Sequence, residues 1–228
     1  MNFFGHALVA QRHEVAEGAL GAPAATAAVR PEFVLGAMLP DFASMLRTRP
    51  PEASLDGVRA GLTFHHRTDD AFHGCRSFLE FSRHAASFLS ERGLPRGSAR
   101  AVAHVGVELL LDAAFARESA ANEAYLLALD CGLTERVASH IHWQASRAEA
   151  EFQQLCHNLR QRGAYRSDPP ADLVAERLRS ILADRPRLAM DDTGQSVVRD
   201  WIVSARSSIA SQASQLLREV EQRLVAVT

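Results

Sequence analysis

The chain of 228 residues contains no lysine, and all 25 of its basic residues are arginine. That absence excludes catalytic lysines, Schiff-base chemistry and a Gly-x-x-x-x-Gly-Lys phosphate loop, and it leaves anion recognition to planar guanidinium groups or to backbone. Cysteine is scarce: Cys75, Cys131 and Cys156 are odd in number, widely spaced and without a Cys-x-x-Cys pair, which argues against a disulfide framework or thiolate zinc site and for a reducing compartment. There is no Gly-x-Ser-x-Gly nucleophile elbow. A basic tract is also missing, and with a formal net charge of -2 the chain lacks the electrostatic footprint of a nucleic-acid binder. No apolar run approaches the roughly 20 residues of a membrane span. Met1-Asn2-Phe3-Phe4-Gly5-His6 lacks the charged start and apolar core of a signal peptide, so a cytoplasmic protein without a membrane span is expected. What is present, 47% hydrophobic and 23% charged residues, fits an ordinary globular chain and excludes disorder, collagen and a coiled-coil rod.

Period-two alternation is almost absent, whereas apolar residues recur at spacings of three and four, which predicts an all-helical chain forming one domain. A first helix is expected over about 2–14, then an Ala/Gly/Pro-rich stretch from Glu17 to Arg30 that reads as linker or weak helix. Pro31 suits the first turn of a helix carrying Phe33, Leu35, Met38 and Leu39, with a kink at Pro40 just before Asp41. Thr48 to Ser54 reads as a loop. The longest helical pattern runs from Leu55 to Arg92, with a possible break at Gly74, and Gly93 and Pro95 end it. Ser98 is a candidate N-cap for a helix from Ala99 to about Arg117, and a further helix is expected from Thr134 towards Leu159. Asp168-Pro169-Pro170 marks a turn. Helices over Ala171–Ala183 and from about Thr193 to Ala226 complete the chain, and Asp184-Arg185-Pro186-Arg187-Leu188 reads as a solvated helix end or an anion-binding edge.

The segment His65-His66-Arg67-Thr68-Asp69-Asp70-Ala71-Phe72-His73 carries the densest chemistry. On a helix His65 and Asp69 stand one turn apart, as do Asp69 and His73, while His66 and Asp70 form a second such pair. Side chains at i and i+4 can give two ligands to one metal, and a mixture of imidazole and carboxylate suits zinc, manganese or iron. Such pairs also occur as surface hydrogen bonds. His104, Glu108 and Asp112 repeat the four-residue step inside the apolar run Val105 to Leu111, where carboxylates need partners. The first cluster can provide them, or arginines such as Arg67 or Arg76. His6 and Asp41, each among apolar residues, complete a set drawn from several helices. One ion cannot use all of them, so either two ions bind or some of these residues orient the others. His140 and His142, two apart, fall on different faces of a helix and read as structural.

These segments resemble the acyl carrier protein phosphodiesterases. Met1-Asn2-Phe3-Phe4-Gly5-His6-Ala7 is similar to their Met-Asn-Phe-Leu-Ala-His start. Gly36-Ala37-Met38-Leu39-Pro40-Asp41-Phe42 resembles Gly-Asn-Leu-Leu-Ala-Asp-Phe, and Gly61-Leu62-Thr63-Phe64-His65-His66-Arg67-Thr68-Asp69 resembles Gly-Ile-x-x-His-Arg-Arg-Ile-Asp. Glu108-Leu109-Leu110-Leu111-Asp112 falls where that family carries Asp-x-x-x-Asp followed by His-Phe. The specific part covers residues 1–115. The resemblance implies a helical fold related to HD-type metal phosphohydrolases and manganese-dependent release of 4′-phosphopantetheine from holo-acyl carrier protein (holo-ACP). It points to Asp41, His65, Asp69 and Asp112, with His6. The chain departs from the pattern at His66 (Arg in the family), at His73 (Asp), at Ala113-Ala114 (His-Phe), and in the additional His104. The expectation is a metal-dependent phosphodiesterase with Asp41, His65, Arg67 and Asp69 in catalysis, and His6, Asp41, His65, Asp69, His73, Glu108 and Asp112 holding one or two divalent ions. His66, Asp70 and His104 are orienting groups or alternative ligands. Arginines such as Arg59, Arg67 and Arg76 would meet an acidic carrier protein. The rivals are a phosphoesterase acting on a phospholipid headgroup or nucleotide, and a non-catalytic helical metal-binding protein.

Overall fold

A computed structural model of the chain describes residues 1–21, 29–183, 185 and 187–226. Among these the protein is all-α, with ten helices and one two-stranded antiparallel sheet. Residues 22–28 of the Ala/Gly/Pro-rich stretch lie outside the described residues, as do Asp184 and Pro186 of the late Arg-Pro-Arg segment. No described helix is long and apolar enough to cross a membrane. The residues pack as two compact units, Met1–Asp70 with Phe115–Tyr165, and Ala71–Ala114 with Arg166–Thr228.

The first unit is built on α1 (Phe3–Gly21), α2 (Pro31–Met45), most of α3 (Asp56–His73), α6 (Ser119–Gly132), α7 (Glu135–Ala138) and α8 (Ala148–Arg162). Helix α2 is buried on every side from Phe33 to Ala43 except at Asp41, the pattern of a helix enclosed by others. It packs against α1 and α6. Proline stands at its first turn, where no N–H is missed. The helix then runs on through Pro40 to Met45, although Pro40 cannot supply the N–H that the Gly36 carbonyl would otherwise accept. Gly36 and Gly61 mark the crossing of α2 and α3: a Cβ on Gly36 would strike the Val58 carbonyl oxygen, and one on Gly61 the Phe33 carbonyl oxygen. In the same unit the rings of Phe3, Phe4, Tyr125 and Tyr165 cluster, with centroids 4.6 Å apart for the stacked Phe4 and Tyr165.

Three expectations are corrected here. Helix α1 extends to Gly21, so the weak-helix reading holds for the start of the Glu17–Arg30 stretch. Helix α6 is an addition to the expected elements. Its buried face is Ala121, Ala124, Tyr125, Ala128, Leu129 and Gly132, a helical spacing made mostly of small residues that offers little hydrophobic contrast. The continuous helix expected from Thr134 is instead the single turn α7, then strand β2 (Ile141–His142) paired with β1 (Glu52–Ala53), then α8 from Ala148. Locally, exposed His140, buried Ile141 and exposed His142 alternate as in a strand. Both histidines meet Ser54 Oγ, His140 Nδ1 at 2.8 Å and His142 Nε2 at 3.1 Å.

The second unit contains the last turn of α3, then α4 (Arg76–Glu91), nearly all of α5 (Arg96–Phe115), α9 (Ala171–Leu182) and α10 (Asp192–Ala226). The break between α3 and α4 falls at Gly74, as the glycine suggests. Helix α5 starts at Arg96, directly after Pro95, so Ser98 lies inside the first turn and not at the cap. Helix α10 buries Val198, Trp201, Ile202, Ile209, Ala213, Leu216, Leu217 and Val220 against α4 and α9. Its Glu219 accepts from the backbone N–H of Ser77 at 3.1 Å and from Ser77 Oγ, satisfying a donor in the first turn of α4 that its own N-cap leaves open.

Candidate metal centre

The α2–α3 crossing fixes the first group of ligands. His65 lies one turn beyond Gly61, buried, and its Nδ1 donates to the Ala37 carbonyl at 2.9 Å, next to the carbonyl that Pro40 leaves without an amide. A carbonyl only accepts, so Nδ1 carries the proton and Nε2 presents a lone pair. Burial lowers the pKa of His65, with the Ala37 hydrogen bond opposing it.

His6, on α1, is fully buried and stacks on His65 with centroids 3.9 Å apart. Its Nδ1 lies 2.8 Å from Thr68 Oγ1. The Thr68 hydroxyl in turn donates to backbone, with the His65 carbonyl at 2.8 Å and the Phe64 carbonyl at 3.1 Å. Its single proton is used there, so the hydrogen-bond network assigns the donor role to His6 Nδ1 and leaves Nε2 as a second lone pair. Burial drives the pKa of His6 down to about 3, against the pull of Asp69. The ring is neutral.

His6 Nε2 is buried and makes no hydrogen bond. It faces Asp69 Oδ1 at 3.7 Å and Asp41 Oδ2 at 3.9 Å, too far for hydrogen bonds. One ligand atom from each of His6, His65 and Asp69 lies within 4.8 Å of the others, and the Met1 amino group stands 3.4 Å from Asp69 Oδ1. Imidazole lone pairs and carboxylate oxygens thus converge with no proton between them at His6 Nε2. This set fits a divalent cation: nitrogen and oxygen donors, with two rings whose far nitrogens are held by Thr68 and Ala37.

The remaining predicted residues sort as follows. His66, Arg67 and Asp70 are exposed on α3, with His66 edge-on to His65 at 5.5 Å. His73, His104 and Glu108 form a second group within the second unit, again with ligand atoms within 4.8 Å of one another. Asp112 is fully buried on α5 and belongs to neither group. Arg59 pairs with Asp56 at 2.5 Å and Arg76 with Glu80 at 2.7 Å. Sequence reasoning missed Thr68 and the Ala37 carbonyl, which set both tautomers, and the glycine pair that lets α3 approach α2. An isolated glycine inside each of two helical patterns was the available signal.

Comparison of the chain with family models, with curated proteins and with solved structures finds no match.

Proposed function

We propose that the chain is a metal-dependent phosphoesterase centred on His6, Asp41, His65 and Asp69, with holo-ACP as its substrate. The observation that carries the metal reading is His6 Nε2, a buried lone pair facing two carboxylates. An imidazole held neutral there would suffer lone-pair repulsion from Asp41 and Asp69 unless a cation lies among them. Two imidazoles and two carboxylates suit manganese, zinc or iron, and the motif resemblance favours manganese.

A divalent ion bound there supplies positive charge that polarises a phosphoryl oxygen and lowers the pKa of water. The chain's own residues define the rest. Thr68 and the Ala37 carbonyl keep both imidazoles in the ligand tautomer. To Arg67, exposed within two residues of both His65 and Asp69, this reading assigns the contact with a phosphate oxygen. In the hydrolysis itself one water is consumed: the bond from phosphorus to the carrier serine oxygen breaks, phosphorus gains the water oxygen, and the serine oxygen takes a proton. The carrier substrate rests on the motifs around His6, Asp41 and His65 alone. Arg59 and Arg76 are tied to Asp56 and Glu80.

The test is incubation of the purified protein with holo-ACP and manganese, with and without chelator, reading the intact mass of the carrier. Chelator-sensitive loss of phosphopantetheine is expected, together with its disappearance in Asp69→Asn. An unchanged carrier mass alongside chelator-sensitive cleavage of bis(p-nitrophenyl) phosphate would keep the chemistry and replace the substrate. No hydrolysis of either, with metal bound, would overturn the enzymatic reading.

A further inference from the structure

His104 and Glu108 stand one turn apart on α5, and the last turn of α3 brings His73 to them within the second unit. Both imidazole Nε2 atoms converge on the same carboxylate oxygen, Glu108 Oε1, His104 at 3.3 Å and His73 at 3.7 Å. The two rings lie nearly parallel, 12° between planes and 4.8 Å between centroids. Phe78, buried, stands edge-on to both, 5.0 Å from His73 and 5.4 Å from His104. It walls the pair on one side.

The spacing is compatible with a shared ion. Ligand atoms around a tetrahedral ion with bonds of about 2.0–2.1 Å stand roughly 3.3–3.4 Å apart. His104 at 3.3 Å matches that figure, and His73 at 3.7 Å lies a few tenths of an ångström beyond it and beyond a hydrogen bond. Burial supports the same reading. The Glu108 side chain is 13% exposed and His104 49%, so the carboxylate is largely covered while the imidazole of His104 opens the group to solvent. Two imidazoles and one carboxylate are the donor set of zinc and its neighbours and not of calcium or magnesium.

We propose that His73, His104 and Glu108 form a second, independent site for a divalent transition metal of the zinc type, contained within the second unit and clamping the last turn of α3 to α5. The proposal does not depend on the phosphoesterase reading of the first group.

The experiment is metal counting on the full chain after chelator dialysis. Zinc is titrated calorimetrically, and cobalt is titrated by its visible absorption as a spectroscopic stand-in. Wild type is expected to take two equivalents, with His104→Ala and Glu108→Gln each reducing the count to one, and His65→Ala removing the other one. The exposure of His104 makes its alanine variant safe for the fold, and circular dichroism checks both variants. A single equivalent in wild type that His104→Ala and Glu108→Gln leave unchanged would overturn the second site while sparing the first. A single equivalent lost in His104→Ala but retained in His65→Ala would support the second site and sink the first. No binding at all would overturn both.

Discussion

A Cβ built on Gly61 comes within 2.8 Å of the Gly36 Cα and runs into the Phe33 carbonyl oxygen, so α2 and α3 meet backbone to backbone. His65 and Thr68, one and two turns further along α3, reach Ala37 and His6 because of that approach. Gly61→Ala gains up to about 1 kcal/mol of helix propensity and incurs overpacking of about 1–3 kcal/mol. Overpacking should win, because the clashing atoms are backbone and cannot rotate away. The expected outcome is a lower Tm together with weakened metal binding at the first group, read by thermal unfolding and titration. A Gly61→Ala protein at or above the wild-type Tm would show that the crossing has slack.

Thr68 holds His6 in its ligand tautomer through a bond of 2.8 Å. Thr68→Val keeps the shape of the side chain and removes the acceptor, leaving a buried imidazole N–H at a cost of about 1–3 kcal/mol. Orienting partners of this kind are typically worth about 10- to 100-fold in metal affinity. Thr68→Val should lose affinity in that range, and Thr68→Ser should restore most of it. Equal affinity for the valine and serine variants would remove Thr68 from the site.

Much of this was legible in the chain, for reasons that also mark where legibility ends. Helix α10 could be read because large residues such as Trp201, Ile209 and Leu216 stand against polar neighbours, and Gly74 ends α3 as a backbone without a side chain should. Helix α6 escaped because its buried face is largely alanine. The His65–Asp69 step follows from helix geometry alone, but periodicity names only the residues sharing a face and not the helix that face meets. That is why Asp112, one turn from Glu108, falls outside the group that Glu108 joins with His73. The Ala37 carbonyl leaves no trace in any sequence, since every residue carries one.

The neutral state of His6 ties stability to pH. Its pKa is near 6.5 in the unfolded chain and about 3 in the folded one, because burial excludes the charged ring. Between those values the unfolded state binds the extra proton, so the stabilisation is fully present above about pH 6.5. It is lost progressively as the pH falls towards 3, with a slope approaching about 1.4 kcal/mol per unit from this group. Chelator-treated wild type should therefore lose denaturant stability from pH 7 to pH 5 more steeply than His6→Gln under the same conditions. Parallel slopes for the two proteins would mean that His6 is already protonated in the fold.

Asp41 interrupts the buried stretch from Phe33 to Ala43 of α2 and places Oδ2 3.9 Å from His6 Nε2. If a cation normally stands among these atoms, the metal-free protein carries repulsion that it would be better off without. Exchanging the carboxylate for a carboxamide of the same shape removes one negative charge and offers an N–H towards Nε2. Asp41→Asn is therefore expected to raise the stability of the chelated protein by about 1 kcal/mol, the worth of one hydrogen bond, while abolishing the rise in Tm that manganese or zinc gives wild type. The two effects have opposite signs, and general damage to the fold cannot produce both. A chelated Asp41→Asn protein less stable than chelated wild type would show that Asp41 serves the fold and not a cation, and the first group would then have to hold its ion through His6, His65 and Asp69 alone.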